Sequence, residues 1–512
     1  MTATPAQTHT QPAPPHGDIE ALVEQLVADV LADPTGGLEP SVYETARLVT
    51  LVPWLDGHQE RIRFLLSRQR EDGSWGGPDG YSLVPTLSAT EALLAACGQV
   101  QLPIPLRQEA RQAADRGLDA AGRLLAESDR TGVPNTVVAM MIVPALISDI
   151  NARQERRLPL PNGMDNIRLD ELRWDGWRNP LAGHYLEIVG PVAVKADHLQ
   201  PVDGVIGCSA AATAAWLGAE EPGPAYAPSV EFLRRAQARQ GGPVPAMTSV
   251  AYYERAWILG NLATAGVALD LLSPLAAELP SDTARTGAPT APGFAYEAET
   301  SAIILAAFAQ LGPAQEPAYL WQYDAGTHFR STIPEFTPST STNAHVMGAL
   351  GSYLGVGPGD AERYADAMER IALWLRDQQQ EDGTWIDKWH ASPYFSTMRC
   401  AVALHEHAGA AHRATVDRAV GWILDSQCDD GSFGRWGGTV EETAYAVQTL
   451  LRTTAPGDSR AEGAAQRGYA FLLEHLKDTD HPARWIGKEL YAPVHMVRGA
   501  VIGALQLARS RW

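Results

Sequence analysis

A seven-residue pattern occurs three times in this chain and restricts the fold more than any other feature. Gln69-Arg70-Glu71-Asp72-Gly73-Ser74-Trp75 recurs as Gln379-Gln380-Glu381-Asp382-Gly383-Thr384-Trp385, and again as Gln427-Cys428-Asp429-Asp430-Gly431-Ser432-Phe433. The last two copies begin 48 positions apart (427 − 379). That is the length of one helical hairpin with its loops, and such periods belong to stacked or ring-closed helix pairs. Each copy follows an apolar run. The Asp-Gly step supplies a turn with positive φ, and the aromatic ring can then fold back onto the helix just completed. The pattern holds helix pairs together, so it reports the fold and not the chemistry.

The rest of the sequence agrees with an all-α chain. Ile19, Leu22, Val23, Leu26, Val27, Val30 and Leu31 recur at i, i+3, i+4 and i+7, the stripe of a helix with one buried face. Tyr364, Met368, Ile371 and Leu375 form a second such face. Convincing alternating strands are absent, and Gly/Pro turns separate the helices. At 512 residues the chain exceeds one ordinary core. A Pro/Gly/Thr-rich stretch, Pro280 to Gly293, reads as a linker or long loop between an N-terminal and a C-terminal half. Met1 to His16 reads as a disordered tail: it has neither the basic start nor the apolar run of a signal peptide.

A net charge of −20 disfavours nucleic acid and anionic membranes as partners, while leaving room for a small anion held by a few local cations. The longest apolar stretch, Thr136 to Ile147, is too short to span a bilayer and contains Pro144. Cys97, Cys208, Cys400 and Cys428 are scattered, which argues against a disulfide framework or a zinc ribbon. A cytoplasmic protein is expected.

Further segments carry a resemblance. Tyr253-Glu254-Arg255-Ala256-Trp257, Ser339 to Val346, Asp387 to Tyr394, Thr439 to Tyr445 and Trp485 to Tyr491 resemble, in this order, the F-E-R-x-W, S-x-N-A-H-V, D-K-W-H-x-S-P-Y-Y, T-x-E-E-T-A-Y-A and W-x-G-K-E-L-Y segments of squalene–hopene cyclases and class II diterpene cyclases. The three repeats are similar to the QW motifs of the same family. The resemblance runs from about Gln69 to the C-terminus and implies two α/α barrels, called γ and β, with the active cavity between them. Residues 17–36 are then a helix joining the C-terminal barrel, 37–279 the γ-like barrel and 294–512 the β-like barrel. The implied activity is that of the short bacterial enzymes, which protonate a linear isoprenyl diphosphate and close rings without removing the diphosphate.

The family's acid motif is Asp-x-Asp-Asp-Thr-Ala, with the middle Asp as general acid. The matching stretch here is Glu297-Ala298-Glu299-Thr300-Ser301-Ala302. Glu299 stands at the acid position. Thr300 replaces the next Asp, as in the Asp-x-Asp-Thr-Thr variant of some halimadienyl-type and drimenyl diphosphate synthases. Glu299 is one methylene longer than Asp, and Glu299→Asp is expected to equal or exceed the present rate. Protonating an alkene creates a tertiary carbocation, so the donor must be neutral. A free glutamate titrates at about 4.3, and keeping its proton at pH 7 costs about 3.7 kcal/mol. Burial and the neighbouring Glu297 can offset that cost. Aromatic walls stabilise the cation and exclude water, and the candidates are Phe294, Tyr296, Trp257, Trp389, Tyr394 and Tyr491.

An anionic substrate needs cations. Lys488, Arg498 and Lys195 are candidates for the diphosphate. No D-D-x-x-D metal motif is visible, so the diphosphate is expected to survive. The resemblance implies Mg²⁺, with Asp149 as a weak candidate ligand, since Met140 stands where the family commonly has a Glu. His345 and Asn343 mark a possible base region. The preferred conversion is farnesyl diphosphate to drimenyl diphosphate. The alternative is geranylgeranyl diphosphate to a copalyl- or halimadienyl-type diphosphate. More distant readings are a protein prenyltransferase-like or a non-catalytic α/α toroid.

Overall fold

The computed structural model describes residues 17–33, 36–134, 136, 139–165, 167–174, 176–335, 337–357 and 360–512. The tail expected over 1–16 lies outside the described residues. Helices dominate, and the described strands form two two-stranded antiparallel ladders.

The three repeats are wired alike. Each glutamine closes its own turn and reaches a carbonyl of the next outer helix: Gln69 Nε2 donates to Gly73 O and Ala113 O, Gln379 Nε2 to Gly383 O and Thr415 O, and Gln427 Nε2 to Gly431 O and Ala464 O. Asp72, Asp382 and Asp430 each accept from the residue two positions on. The indoles of Trp75 and Trp385 donate to Leu65 O and Leu375 O on the preceding helix, both at 2.7 Å. Glycine is required in the turn. Gly383 has φ +97°, and a Cβ there would stand 2.6 Å from Arg418 O. Asp429-Asp430 is thus part of a structural turn.

Two apolar cores result. In the C-terminal core, helices Ala251–Thr264, Ala298–Leu311, Thr340–Leu354, Pro393–His407, Val440–Thr453 and Val494–Arg511 pack each on the next, and the last closes on the first. Outer helices, including Ala361–Gln378, Arg413–Asp425 and Ser459–Glu474, pack around this ring. Helix Gly17–Ala32 joins it too, burying Val23, Leu26 and Val30 against the 269–277 and 494–511 helices. The N-terminal core is a smaller ring built from helices Val42–Leu51, Leu83–Cys97, Ala139–Arg153 and Ala210–Leu217 with the 3-10 segment Pro180–Ile188.

The cores divide earlier than the Pro280–Gly293 stretch suggests. Helices Ala251–Thr264 and Leu269–Ala277 bury Trp257, Leu259, Leu262, Leu272 and Leu275 in the C-terminal core. The stretch itself is no free linker. Ala288–Pro289 pairs with Tyr296–Glu297, and this ladder sets the start of the 298–311 helix. The second ladder, Trp485–Ile486 with Leu490–Tyr491, projects its turn into the N-terminal half. No helix among the described residues is long and apolar enough to cross a membrane.

Candidate active site

A cavity of about 200 Å³ opens between the two barrels. Leu181, His184 and Tyr185 line it from the N-terminal half, and Phe294, Trp389 and Tyr491 from the C-terminal half. Glu299 closes its inner end. The rim holds the exposed Pro334 and Thr337, with Lys388 beside them.

Glu299 sits in the first turn of the 298–311 helix and is 2 % exposed. Tyr253 Oη donates to its Oε1 at 3.1 Å, Thr342 Oγ1 to its Oε2 at 2.8 Å, and Ser341 Oγ approaches Oε1 at 3.3 Å. A helix N-terminus and the hydroxyls of Thr342 and Tyr253 favour the carboxylate, while Ser341 Oγ lies nearer Asp387 Oδ2, at 3.0 Å. Burial opposes them and wins, aided by the negative charges of Asp387 and Glu297, and raises the Glu299 carboxyl to about 8. The side chain is therefore an acid that holds its proton at pH 7 yet gives it up without a large penalty, which suits proton transfer to carbon.

The neighbours fix this arrangement. Glu297 accepts from Thr290 Oγ1 at 2.8 Å and from Thr300 Oγ1, and burial raises its carboxyl as well. Asp387 accepts from Ser339 Oγ, Thr340 Oγ1 and the backbone N–H groups of Ser341 and Trp389. Burial holds the Tyr253 phenol well above its ordinary range, so it remains a donor. His184 packs edge-on to Phe294 and is held neutral, at about 3, by burial and by the charge of Lys488.

The raised carboxyl predicts the pH profile. Glu299 is protonated below about 8 and ionises above it. The kcat/KM for cyclisation should be level from pH 6 to near 8 and then fall about tenfold per unit. Initial rates across pH 5 to 10 check this, and a decline beginning near pH 5 would refute it.

The cavity gathers some of the expected residues and rejects others. Glu299, Glu297, Phe294, Trp389 and Tyr491 line it. Thr300 is buried and acts through Glu297. Tyr296 is 52 % exposed, because it alternates with the inward Glu297 on the short strand. Tyr394 packs on Trp422 and Phe433 within the barrel wall. Trp257 is fully buried inside the C-terminal ring, behind Glu299. His345 also lies behind the acid, its Nε2 at 3.6 Å from Glu299 Oε1. Burial and the Arg399 charge hold its imidazole well below its ordinary range. Asn343 is consumed by structure: its Oδ1 accepts from Phe329 N, and its Nδ2 donates to Phe329 O and Ser339 O.

None of the three expected cations is available. Lys488 is buried between Glu44 (2.7 Å) and Glu187 (2.8 Å). Arg498 pairs with Asp29 at 2.6 Å, tying down the N-terminal helix. Lys195 lies over the Tyr226 ring on the exposed surface. The cation that lines the cavity is Lys388: it too is in an ion pair, with Glu335 at 3.2 Å, and its Nζ donates also to Ser331 Oγ and Thr337 O, but unlike the other three it stands in the lining. Asp149 is exposed and outside the lining. Among the described residues no group of three or more His, Cys, Asp or Glu could hold a metal ion. Mg²⁺ bound to a diphosphate commonly takes only one or two protein carboxylates, its other ligands being phosphate oxygens and water, so the expected Mg²⁺ has no assigned ligand in this chain.

Sequence reasoning missed Lys388, Tyr253, Thr342 and Asp387. All four stand inside the segments that carry the family resemblance, and that was the available signal.

Comparison with known proteins gives the family of the chain. The Squalene-hopene cyclase C-terminal domain family matches residues 336–485. The ent-copalyl diphosphate synthase of Streptomyces sp. (strain KO-3988) is 40 % identical over 95 % of this chain and 96 % of its own length. The terpentedienyl-diphosphate synthase of Kitasatospora griseola is 32 % identical over 92 % and 97 %. The solved ent-copalyl diphosphate synthase from Streptomyces platensis superposes with a TM-score of 0.89 at 42 % identity, covering 96 % of this chain and 99 % of that one. With a buried protonated carboxyl at the inner end of an inter-barrel cavity, the chain belongs to the class II terpene cyclases of the short bacterial type, isomerases related to the squalene–hopene cyclases.

Proposed function

We propose that this enzyme converts geranylgeranyl diphosphate to a bicyclic copalyl-type diphosphate with the diphosphate retained. The observation that carries this reading is the polarity of the cavity: a neutral, buried Glu299 at one end and the Lys388 ammonium at the open end. A linear prenyl diphosphate fits that polarity with its hydrocarbon tail inward. Glu299 gives its proton to the distal double bond, two ring-closing C–C bonds form in turn, and a proton leaves a carbon beside the last cation. The product is an isomer of the substrate. Trp389, Phe294 and Tyr491 face the cationic intermediates with their rings and keep water out.

The chain length follows the relatives. Those that cover nearly the whole chain include two copalyl diphosphate synthases and a labda-7,13-dienyl diphosphate synthase of Streptomyces species. They favour the C20 substrate over the farnesyl-to-drimenyl conversion. Incubation with each prenyl diphosphate, phosphatase treatment and mass spectrometry of the alcohols tests this. A bicyclic C20 alcohol is expected from geranylgeranyl diphosphate, with a kcat/KM well above that for farnesyl diphosphate. Faster turnover of the C15 substrate would overturn the assignment. Lys388→Gln should raise KM about tenfold with little change in kcat, since a charge-assisted contact to the diphosphate serves substrate and transition state alike.

A further inference from the structure

The C-terminal barrel holds a second chamber, of about 130 Å³, behind Glu299. It lies within the ring of six helices and runs from the fully buried Trp257 to the exposed Thr264 and Glu406. Trp257 Nε1, His345 Nε2, Arg399 Nε, Asn261 Oδ1 and Gln310 Oε1 are all buried, and none has a hydrogen-bond partner among the described residues. Buried polar atoms are normally satisfied by protein, water or a ligand, so such a concentration marks a chamber that water or a ligand fills.

The charges narrow what that is. Arg452 is paired with Glu406 at 2.7 Å. Arg399 makes no ion pair and no hydrogen bond among the described residues. Its guanidinium lies 5.2 Å from the centre of the Trp257 ring and 5.8 Å from that of Phe395. The carboxyl that acts on it is Glu299, which is uncharged in the resting enzyme. Arg399 is half-buried, with its Nε enclosed, and a guanidinium without a counter-ion against the Trp257 and Phe395 rings favours an anion beside it. Water in the chamber would satisfy hydrogen bonds and leave the charge. An anion satisfies both, and the planar fork of arginine with an indole N–H suits a ligand bearing several acceptor oxygens.

We propose that this chamber binds a small inorganic oxyanion of the phosphate or sulfate class, with Arg399 as its cation and Trp257 Nε1 and the His345 imidazole as further contacts. The site is separate from the substrate cavity and does not depend on which prenyl diphosphate is cyclised. An occupant would place a negative charge on the side of Glu299 remote from the substrate.

Calorimetric titration of the full chain with inorganic phosphate at pH 7 tests the proposal, with Lys388→Gln as the control for binding at the cavity mouth. A saturable phase is expected in the wild type and in Lys388→Gln, weakened at least about tenfold by Arg399→Gln. Sulfate should replace phosphate, and chloride at equal ionic strength should bind more weakly. Trp257→Phe, which removes one N–H and keeps the aromatic packing, should weaken binding severalfold. Arg399→Lys should retain part of it. These two variants decide the matter if Arg399→Gln does not fold. Absence of a saturable phase means that the chamber holds water alone and overturns the proposal. So does a phase that survives Arg399→Gln, one unaltered by Trp257→Phe, or one that disappears in Lys388→Gln.

Discussion

Replacing Glu299 by glutamine should abolish cyclisation and, at the same time, stabilise the folded chain at pH 7. Glutamine keeps the shape: its one carbonyl oxygen accepts from Tyr253 or Thr342, its amide nitrogen donates to the other hydroxyl, and it has no acidic proton to give. A positioned general acid supplies up to about 10⁴ in rate, and a loss of that order in kcat is expected. The stability gain follows from linkage. In the unfolded chain the carboxyl titrates at about 4.3, and in the folded chain at about 8. Between these values the folded state holds one proton more than the unfolded state. Stability is therefore full below pH 4 and declines as pH rises to about 8, at about 1.4 kcal/mol per unit. At pH 7 the decline amounts to about 3 to 4 kcal/mol, and glutamine does not suffer it. Denaturant titrations of both proteins at pH 4.5 and 7.5 should show the glutamine variant gaining on the wild type only at the higher pH. Equal stability at both would mean that Glu299 is already ionised in the fold.

Glu299→Asp separates the sequence reading from the structure. Analogy with an aspartate acid predicts equal or better activity. In the fold the glutamate carboxyl meets Thr342 at 2.8 Å and Tyr253 at 3.1 Å, so the site fits the longer side chain. Aspartate would withdraw the carboxyl by about 1.5 Å, one C–C bond. A displacement of that size costs up to about 10²-fold, and a functional but slower enzyme is now expected.

The same contrast shows which parts of this molecule can be read from its residues. The repeats were legible because their wiring is local: glutamine, Asp-Gly turn and aromatic ring lie within seven positions and must meet whatever the rest does. The acid was legible only by resemblance, since two glutamates at a helix start are ordinary until burial gives them a reason to be neutral. Tyr296 and Tyr394 were assigned to the cavity because aromatic residues suit it. Strand alternation turns the first outward, and the ring of helices takes the second into its wall. The break between the cores was misplaced because Pro280–Gly293 looks like a linker in composition, while its ladder with Tyr296–Glu297 makes it the platform of the acid. Lys488 and Lys388 exchanged roles for a related reason. A lysine in a matched segment can face a ligand or a buried carboxylate, and the partners of Lys488 come from the other half of the chain.

Lys488→Met should accordingly be among the most destabilising single changes outside the apolar cores, with its primary effect on the union of the two halves. The hairpin turn carries Lys488 and Glu489 into the N-terminal barrel. Lys488 Nζ there contacts Glu44, Glu187 and Ser209 Oγ at 2.9 Å, and Glu489 takes hydrogen bonds from Ser41 Oγ and Tyr43 N. The lysine and both glutamates are at most 2 % exposed. Removing the cation leaves two carboxylates facing each other without water, and breaking a buried pair in this way costs about 3 to 5 kcal/mol. Methionine keeps the stem's packing, so the loss reports the charge. Because this contact is one of those that join the two cores, calorimetry of the variant should show its first transition at a lower temperature than in the wild type. The double variant Lys488→Met/Glu187→Gln should recover a substantial part of the loss, since it removes one stranded charge. If the double variant is no more stable than the single one, the lysine serves packing and not charge balance.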